Sequence, residues 1–151
     1  SDASADRIIT ALNAEVSVPM DSTSIELPGS TIAAVTVEDG TVRIEFEPAY
    51  LIKSMTGSLE RTRWRQNGAL VFEDAELDRQ DPLPALPAEC LGGDVGENVY
   101  TYRDMIPVPL ESRGQAHCSL KIGDAMVRVS AKAVRLEMRE TAKYIEHLRP
   151  G

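Results

Sequence analysis

Arg61, Arg63 and Arg65 occupy alternate positions of one short stretch, with Trp64 set among them. Alternate residues of a strand share a face, so this spacing makes a stripe of guanidinium groups that can hold phosphate or carboxylate through paired N–H donors. Tryptophan and arginine are also the residue types that recur at the energetic centres of protein interfaces. A plainer reading competes with this one. Asp74 and Glu76 can neutralise the stripe and Phe72 can take Arg63 against its ring, each such exposed contact contributing only a fraction of a kcal/mol.

A second group of chemically able residues lies further along the chain: Asp78, Asp81, Glu89, Asp94 and Glu97. Paired carboxylates can do general acid and base work or hold a divalent cation. Their spacing matches no ligand loop, and Gly92-Gly93-Asp94 reads first as a turn, so a solvated rim is the simpler expectation. Pro84-Ala85-Leu86-Pro87 has the Pro-x-x-Pro spacing of polyproline ligands, but its nearest basic residue is Arg79, and it reads as a rigid spacer.

Thiols and imidazoles are few. His117 and Cys118 are adjacent, which on a strand sends them to opposite faces, so they do not converge on one atom. Cys118 is expected in the core among Ala116, Leu120 and Val129, and Cys90 in an accessible loop with no basic neighbour to activate it. With His117 and His147 as the only histidines and no Cys-x-x-Cys pair, neither a metal nor a cofactor is expected. Phosphate-binding glycine loops, His-Glu-x-x-His, Gly-x-Ser-x-Gly, Ser-x-x-Lys and EF-hand loops are all missing.

The elements that must position these residues read as short strands. Asp39-Gly40 suits a tight hairpin turn, and folding back from it sets Val37 against Val42, Val35 against Ile44 and Ala33 against Phe46. Gly123-Asp124 does the same for Ile122 with Ala125, Leu120 with Val127, Cys118 with Val129 and Ala116 with Ala131. The apolar parity then changes near Lys132, as a bulge or turn would make it. Asn67-Gly68 suggests a third hairpin, pairing Trp64 with Val71, Thr62 with Glu73, Arg63 with Phe72, Arg61 with Asp74 and Arg65 with Leu70. That hairpin places Phe72 on the outer face with the arginine stripe.

Residues 78–98 carry Pro82, Pro84, Pro87, Gly92, Gly93 and Gly96 and are expected to form one long loop. Val99 to Ile106 reads as a strand, with Pro107 and Pro109 pushing the next segment to a sheet edge. Val16 to Met20 and Ser24 to Leu27 are short strand candidates, and Asp6 can cap a brief helix. Residues 134–149 fit both periods; a strand to about Glu140 is favoured, because Leu136 falls off the helical stripe.

The chain of 151 residues, 42% hydrophobic and 26% charged, can bury a core without disulfides. The expected architecture is therefore mainly β: a single domain over residues 1–151, an antiparallel β-sandwich or barrel-like fold with little helix and one long loop at 78–98. Its net charge of -8 repels phosphate backbones and anionic lipid, so neither nucleic acid nor membrane is an expected partner, and a basic surface is the natural complement of the overall field. No apolar stretch is long enough for a membrane helix, no leader pattern opens the chain, and the sparse cysteines fit a cytoplasmic protein.

Three functions are weighed from these features. The first is a non-enzymatic protein-interaction module of inhibitor, immunity or adaptor type, with a protein partner or self-association through Arg61, Arg63, Arg65, Trp64 and Phe72. The second is a small-molecule-binding β-barrel or sandwich with the 78–98 loop as its lid. The third is a hydrolase or isomerase using the loop carboxylates Asp81, Glu89, Asp94 and Glu97, the reading with the least behind it.

Overall fold

The computed structural model describes residues 21–55, 57 and 59–149. Among them there are only strands and their connections: β1 (Asp21–Glu26), β2 (Thr31–Glu38), β3 (Thr41–Met55), β4 (Arg61–Glu73), β5 (Glu76–Leu77), β6 (Ala88–Glu97), β7 (Tyr100–Arg103), β8 (Met105–Val108), β9 (Glu111–Ile122), β10 (Ala125–Met138) and β11 (Lys143–Leu148). The expected mainly-β, barrel-like fold is what forms.

Six strands close a ring in the order β3, β4, β10, β9, β6, β2, each neighbour antiparallel. The seam is short: β2 meets β6 only through Thr31 with Glu89 and Ile32 with Ala88. Alternation does the rest, since every second residue of each strand points inward. Ile32, Val42, Ile44, Phe46, Leu70, Phe72, Cys90, Val95, Leu120 and Ile122 are all fully buried, and together they fill the barrel. A barrel of this strand number has room for side chains and nothing more.

Outside the barrel wall, Ala69 and Val71 of β4 are also fully buried, under a lattice of ion pairs. Arg43 on β3 and Arg135 on β10 both lie opposite Val71, while Glu45 and Glu137 lie opposite Ala69. Arg43 bonds Glu45 at 3.1 Å and Glu137 at 3.0 Å; Arg135 bonds Glu73 at 2.7 Å and Glu137 at 2.8 Å. Small residues on the central strand leave room for long ones on its neighbours to meet across it.

β3 and β4 are longer than the barrel needs, at 15 and 13 residues. Beyond it they stay paired from Ala49 with Gln66 to Ser54 with Arg61. The changeover is a register shift between Phe46 and Ala49, where Pro48 has no N–H to give to a ladder. β1 and then β8 add to the far side of β3, and β11 to the far side of β4, giving a five-stranded outer sheet in the order β8, β1, β3, β4, β11. Its inner face sends Ile25, Leu51 and Ile106 into the same core as the barrel.

The two hairpins at Asp39-Gly40 and Gly123-Asp124 form in the expected register, with one correction: a bulge sets Ile32, not Ala33, against Phe46. The parity change near Lys132 is a bulge between Ala131 and Ala133. The hairpin at Asn67-Gly68 does not exist, because β4 runs straight through it. Gly68 is there for close packing: a Cβ would stand 2.7 Å from the Met138 sulfur and 2.9 Å from the Glu137 carbonyl. Phe72 consequently lies opposite Val42 and Val134 inside the barrel rather than on an outer face beside the arginines.

The long loop also needs correction, since it ends at Pro87 and residues 88–97 are barrel strand. Glu89, Asp94 and Glu97 are therefore strand residues, and Cys90 is fully buried instead of accessible. The glycines that read as a turn lie in the wall against β9: a Cβ on Gly93 would press on the Ser119 carbonyl and the Leu120 backbone. Val99 to Ile106 splits at Asp104, whose φ of 62° turns the chain between β7 and β8. β8 with Pro107 is a sheet edge as expected. Past Met138 the chain turns and returns as β11, a second strand rather than a helix. The Asp6 helix and the Val16 to Met20 strand fall outside the described residues.

Candidate functional site

The outer sheet places the arginine stripe and Trp64 back to back. On the face away from the core, Arg61, Arg63 and Arg65 project from β4, with Tyr50 opposite Arg65 and Glu146 opposite Arg63. Arg63 is the anchored member: its Nη2 is 3.3 Å from Glu26, its Nη1 3.9 Å from Glu146, and its guanidinium lies 4.6 Å from the Tyr50 ring centre. Its Nε is buried without an acceptor. Arg61 and Arg65 are exposed and have no ion-pair partner among the described residues. A shallow groove of about 450 Å³ runs between Tyr50, Arg63, Arg65, Ile145 and Glu146.

The neutralising partners expected from sequence, Asp74 and Glu76, come after β4's barrel end, and Phe72 is in the barrel core, so none of the three meets the stripe. Glu26, Tyr50 and Glu146 take their places, supplied by β1, β3 and β11. Their sequence distance hid them. The one local signal was Gly57, with φ +86°, between the paired segments 49–54 and 61–66.

Trp64 sits on the opposite face, opposite Leu51 on β3 and Tyr144 on β11. Its indole N–H donates to the Thr62 hydroxyl at 2.8 Å, Lys53 Nζ stands 4.2 Å over its ring, and Tyr144 meets it edge-on at 5.4 Å and 77°. These contacts hold the indole at the wall of a cleft of about 470 Å³ that also takes in Met55, Glu60 and His147. His147 Nε2 hydrogen-bonds Glu60 Oε1 there. One ligand cannot lie on the arginine stripe and on Trp64 together, because the sheet separates them.

The carboxylates of the second group do not converge. Asp94 pairs with Arg103 at 2.9 Å, and that hydrogen bond holds its carboxyl below the ordinary range. Glu97 accepts the Tyr102 hydroxyl at 2.9 Å, which raises the phenol above its ordinary value. Asp81 is 3.7 Å from Arg128, Asp78 accepts the Gln80 N–H, and Glu89 is exposed on β6. Among the described residues no group of three His, Cys, Asp or Glu side chains can hold a metal ion. His117 is exposed opposite Ser130, Cys118 is buried as expected, and both thiols are free. Burial pushes the Cys118 thiol up to about 12 and raises Cys90 as well, which leaves both as poor nucleophiles.

Charge is segregated along the same architecture. By sequence, the outer-sheet segments 21–26, 49–55, 61–66, 105–108 and 143–148 hold five cations (Lys53, Arg61, Arg63, Arg65, Lys143) against three carboxylates (Asp21, Glu26, Glu146). The rest of the chain keeps eleven cations and twenty-one carboxylates. The chain matches no protein-family model, no curated protein and no solved structure.

Proposed function

We propose that this protein is a non-enzymatic interaction module that holds a protein partner on its outer sheet, with Arg61 and Arg65 as its charged contacts. The observation that supports the reading is the local charge reversal: a net positive sheet, with two exposed arginines that pair with no described residue, built onto a chain of net charge -8. Such a patch steers a partner to one place while the remaining acidic surface turns others away. The two buried, unpaired thiols suit a reducing compartment, and the cytoplasm is the location we assign with this role.

The test is a pull-down from lysate of the source organism, at low and moderate salt, with the native protein and the Arg61→Gln/Arg65→Gln variant as paired baits. A stoichiometric partner retained by the first and lost by the second supports the reading. No partner on either bait, or equal retention by both, refutes it.

A second reading, small-molecule binding, has one specific observation in its favour, the Trp64 cleft with Lys53 and His147 on its walls. The barrel mouth offers it nothing, since the interior is filled and residues 78–87 reach the Gly123 turn, where a Cβ would be 3.8 Å from Pro84. A ligand screen read by melting temperature checks it, because a bound ligand raises stability by mass action. The hydrolase or isomerase reading gains no support from carboxylates that are dispersed, with Asp81, Asp94 and Glu97 each engaged by a neighbour and Glu89 standing apart on β6.

A further inference from the structure

We infer that the partner is an acidic, extended polypeptide segment that adds to the free edge of β11 as a further strand of the outer sheet. The inference rests on the interaction reading and deepens it by giving the partner a chemistry and a place. The two edges of the sheet differ. β8 has four residues and carries Pro107, with Pro109 just beyond, so it is short and lacks a donor. β11 has six residues, no proline, and pairs with β4 alone among the described strands, leaving its outer row of N–H and C=O groups to a newcomer. A strand added there gains main-chain hydrogen bonds whatever its sequence, and its side chains set specificity.

The charges choose the side chains. Lys143 lies opposite Arg65 and Leu148 opposite Arg61, while Glu146 lies opposite Arg63 between them; a bulge at Ile145 keeps these three on one face, matched to the alternate arginines of β4. An added strand therefore meets positive charge at both ends of β11 and negative charge in the middle of the same face. Side chains on one face of a strand recur every second residue. The matching segment carries carboxylates at positions i and i+4 with an uncharged residue at i+2. On the other face, positions i+1 and i+3 meet Tyr144 and His147, which favours apolar side chains there. Nucleic acid is the lesser fit: its unbroken phosphate row would meet Glu146 and Glu26 as well as the arginines.

The experiment uses the full chain and a fluorescent peptide, Thr-Glu-Val-Thr-Val-Glu-Thr, with its Glu→Lys counterpart and a single-stranded oligonucleotide as competing probes. Binding is read by anisotropy, and the location by hydrogen exchange of the 143–148 amides with and without peptide. The expected result is binding of the acidic peptide only, slowed exchange in β11, and affinity about five- to thirtyfold weaker for Arg61→Gln/Arg65→Gln. Preference for the lysine peptide or the oligonucleotide, no binding, or protection elsewhere overturns the inference. So does protection, in the isolated protein, of the β11 amides that point away from β4, with light scattering then showing whether a second copy or the same chain covers the edge. If the pull-down still yields a partner that needs the arginines, the interaction reading stands and only the acidic-strand inference falls.

Discussion

Replacing Gly93 with alanine is expected to cost about 4 kcal/mol, about half of it from a contact that would be absent if residues 88–97 were a loop. Two parts make up the figure. Gly93 has φ +143°, a conformation that costs an L side chain about 1–3 kcal/mol. Its new Cβ would also stand 2.8 Å from Leu120 Cα and closer still to the Ser119 carbonyl oxygen. Both are backbone atoms of the neighbouring wall strand, so relief requires β6 and β9 to separate where Gly93 pairs with Leu120, and such overpacking costs about 1–3 kcal/mol. Two controls divide the sum. Gly40, at φ +78° with nothing within 4 Å, carries only the conformational part, about 1.5 kcal/mol. Gly96 has no positive φ and would meet the exposed His117 ring, which can swing aside, so the entropy gained by alanine offsets the displacement and the variant should change stability by less than about 1 kcal/mol. Urea unfolding and a thermal melt measure all three; for a chain of this size the Gly93 variant should melt about 8–16 °C lower and the Gly40 variant about 3–6 °C lower. A Gly93→Ala cost no greater than that of Gly40→Ala would refute the placement of β6 in the barrel wall.

Phe72→Ala should destabilise by about 3–5 kcal/mol in urea, because Phe72 is fully buried in the barrel; an outer-face phenylalanine would lose far less. Neither Cys90 nor Cys118 should react with a thiol reagent at mildly alkaline pH in the folded protein, and both should react in denaturant; rapid native labelling of Cys90 would contradict its burial. Hydrogen bonds from Thr41 and then Arg135 hold Glu73 below its ordinary value of 4.5, and Arg135 and then Arg43 do so for Glu137. Carboxyls lowered by folding add stability that is present above the ordinary value and lost as pH falls through the lowered one. The urea midpoint should thus fall as pH drops below about 4.5, and less steeply for Glu73→Gln/Glu137→Gln; identical slopes would show that the lattice over Ala69 and Val71 does not couple to folding.

The local part of the fold was legible in the chain. At Asp39-Gly40 and Gly123-Asp124 the turn residues and the alternation agree, and the partners lie within a few residues of the turn, so short-range sterics and one buried face set the register. Asn67-Gly68 and Gly92-Gly93 show where that logic stops. Glycine serves a turn by its positive φ and a wall by its missing Cβ, and the sequence does not distinguish these uses. Only the approach of Met138 to Gly68, and of Leu120 to Gly93, from strands distant in sequence, decides between them.

The candidate site divides in the same way. Alternation alone puts Arg61, Arg63 and Arg65 on one face and Trp64 on the other, because the two-residue period of a strand needs no partner to define it. Ring closure through β2 and β6, the run of β3 and β4 beyond it, and the return of β11 are long-range pairings with no local signature. These pairings bring Glu26, Tyr50 and Glu146 to Arg63, leave Arg61 and Arg65 exposed, and carry Phe72 into the core. Side-chain direction is a property of the strand itself, whereas neighbours across a sheet are set by which distant strands pair and in what register.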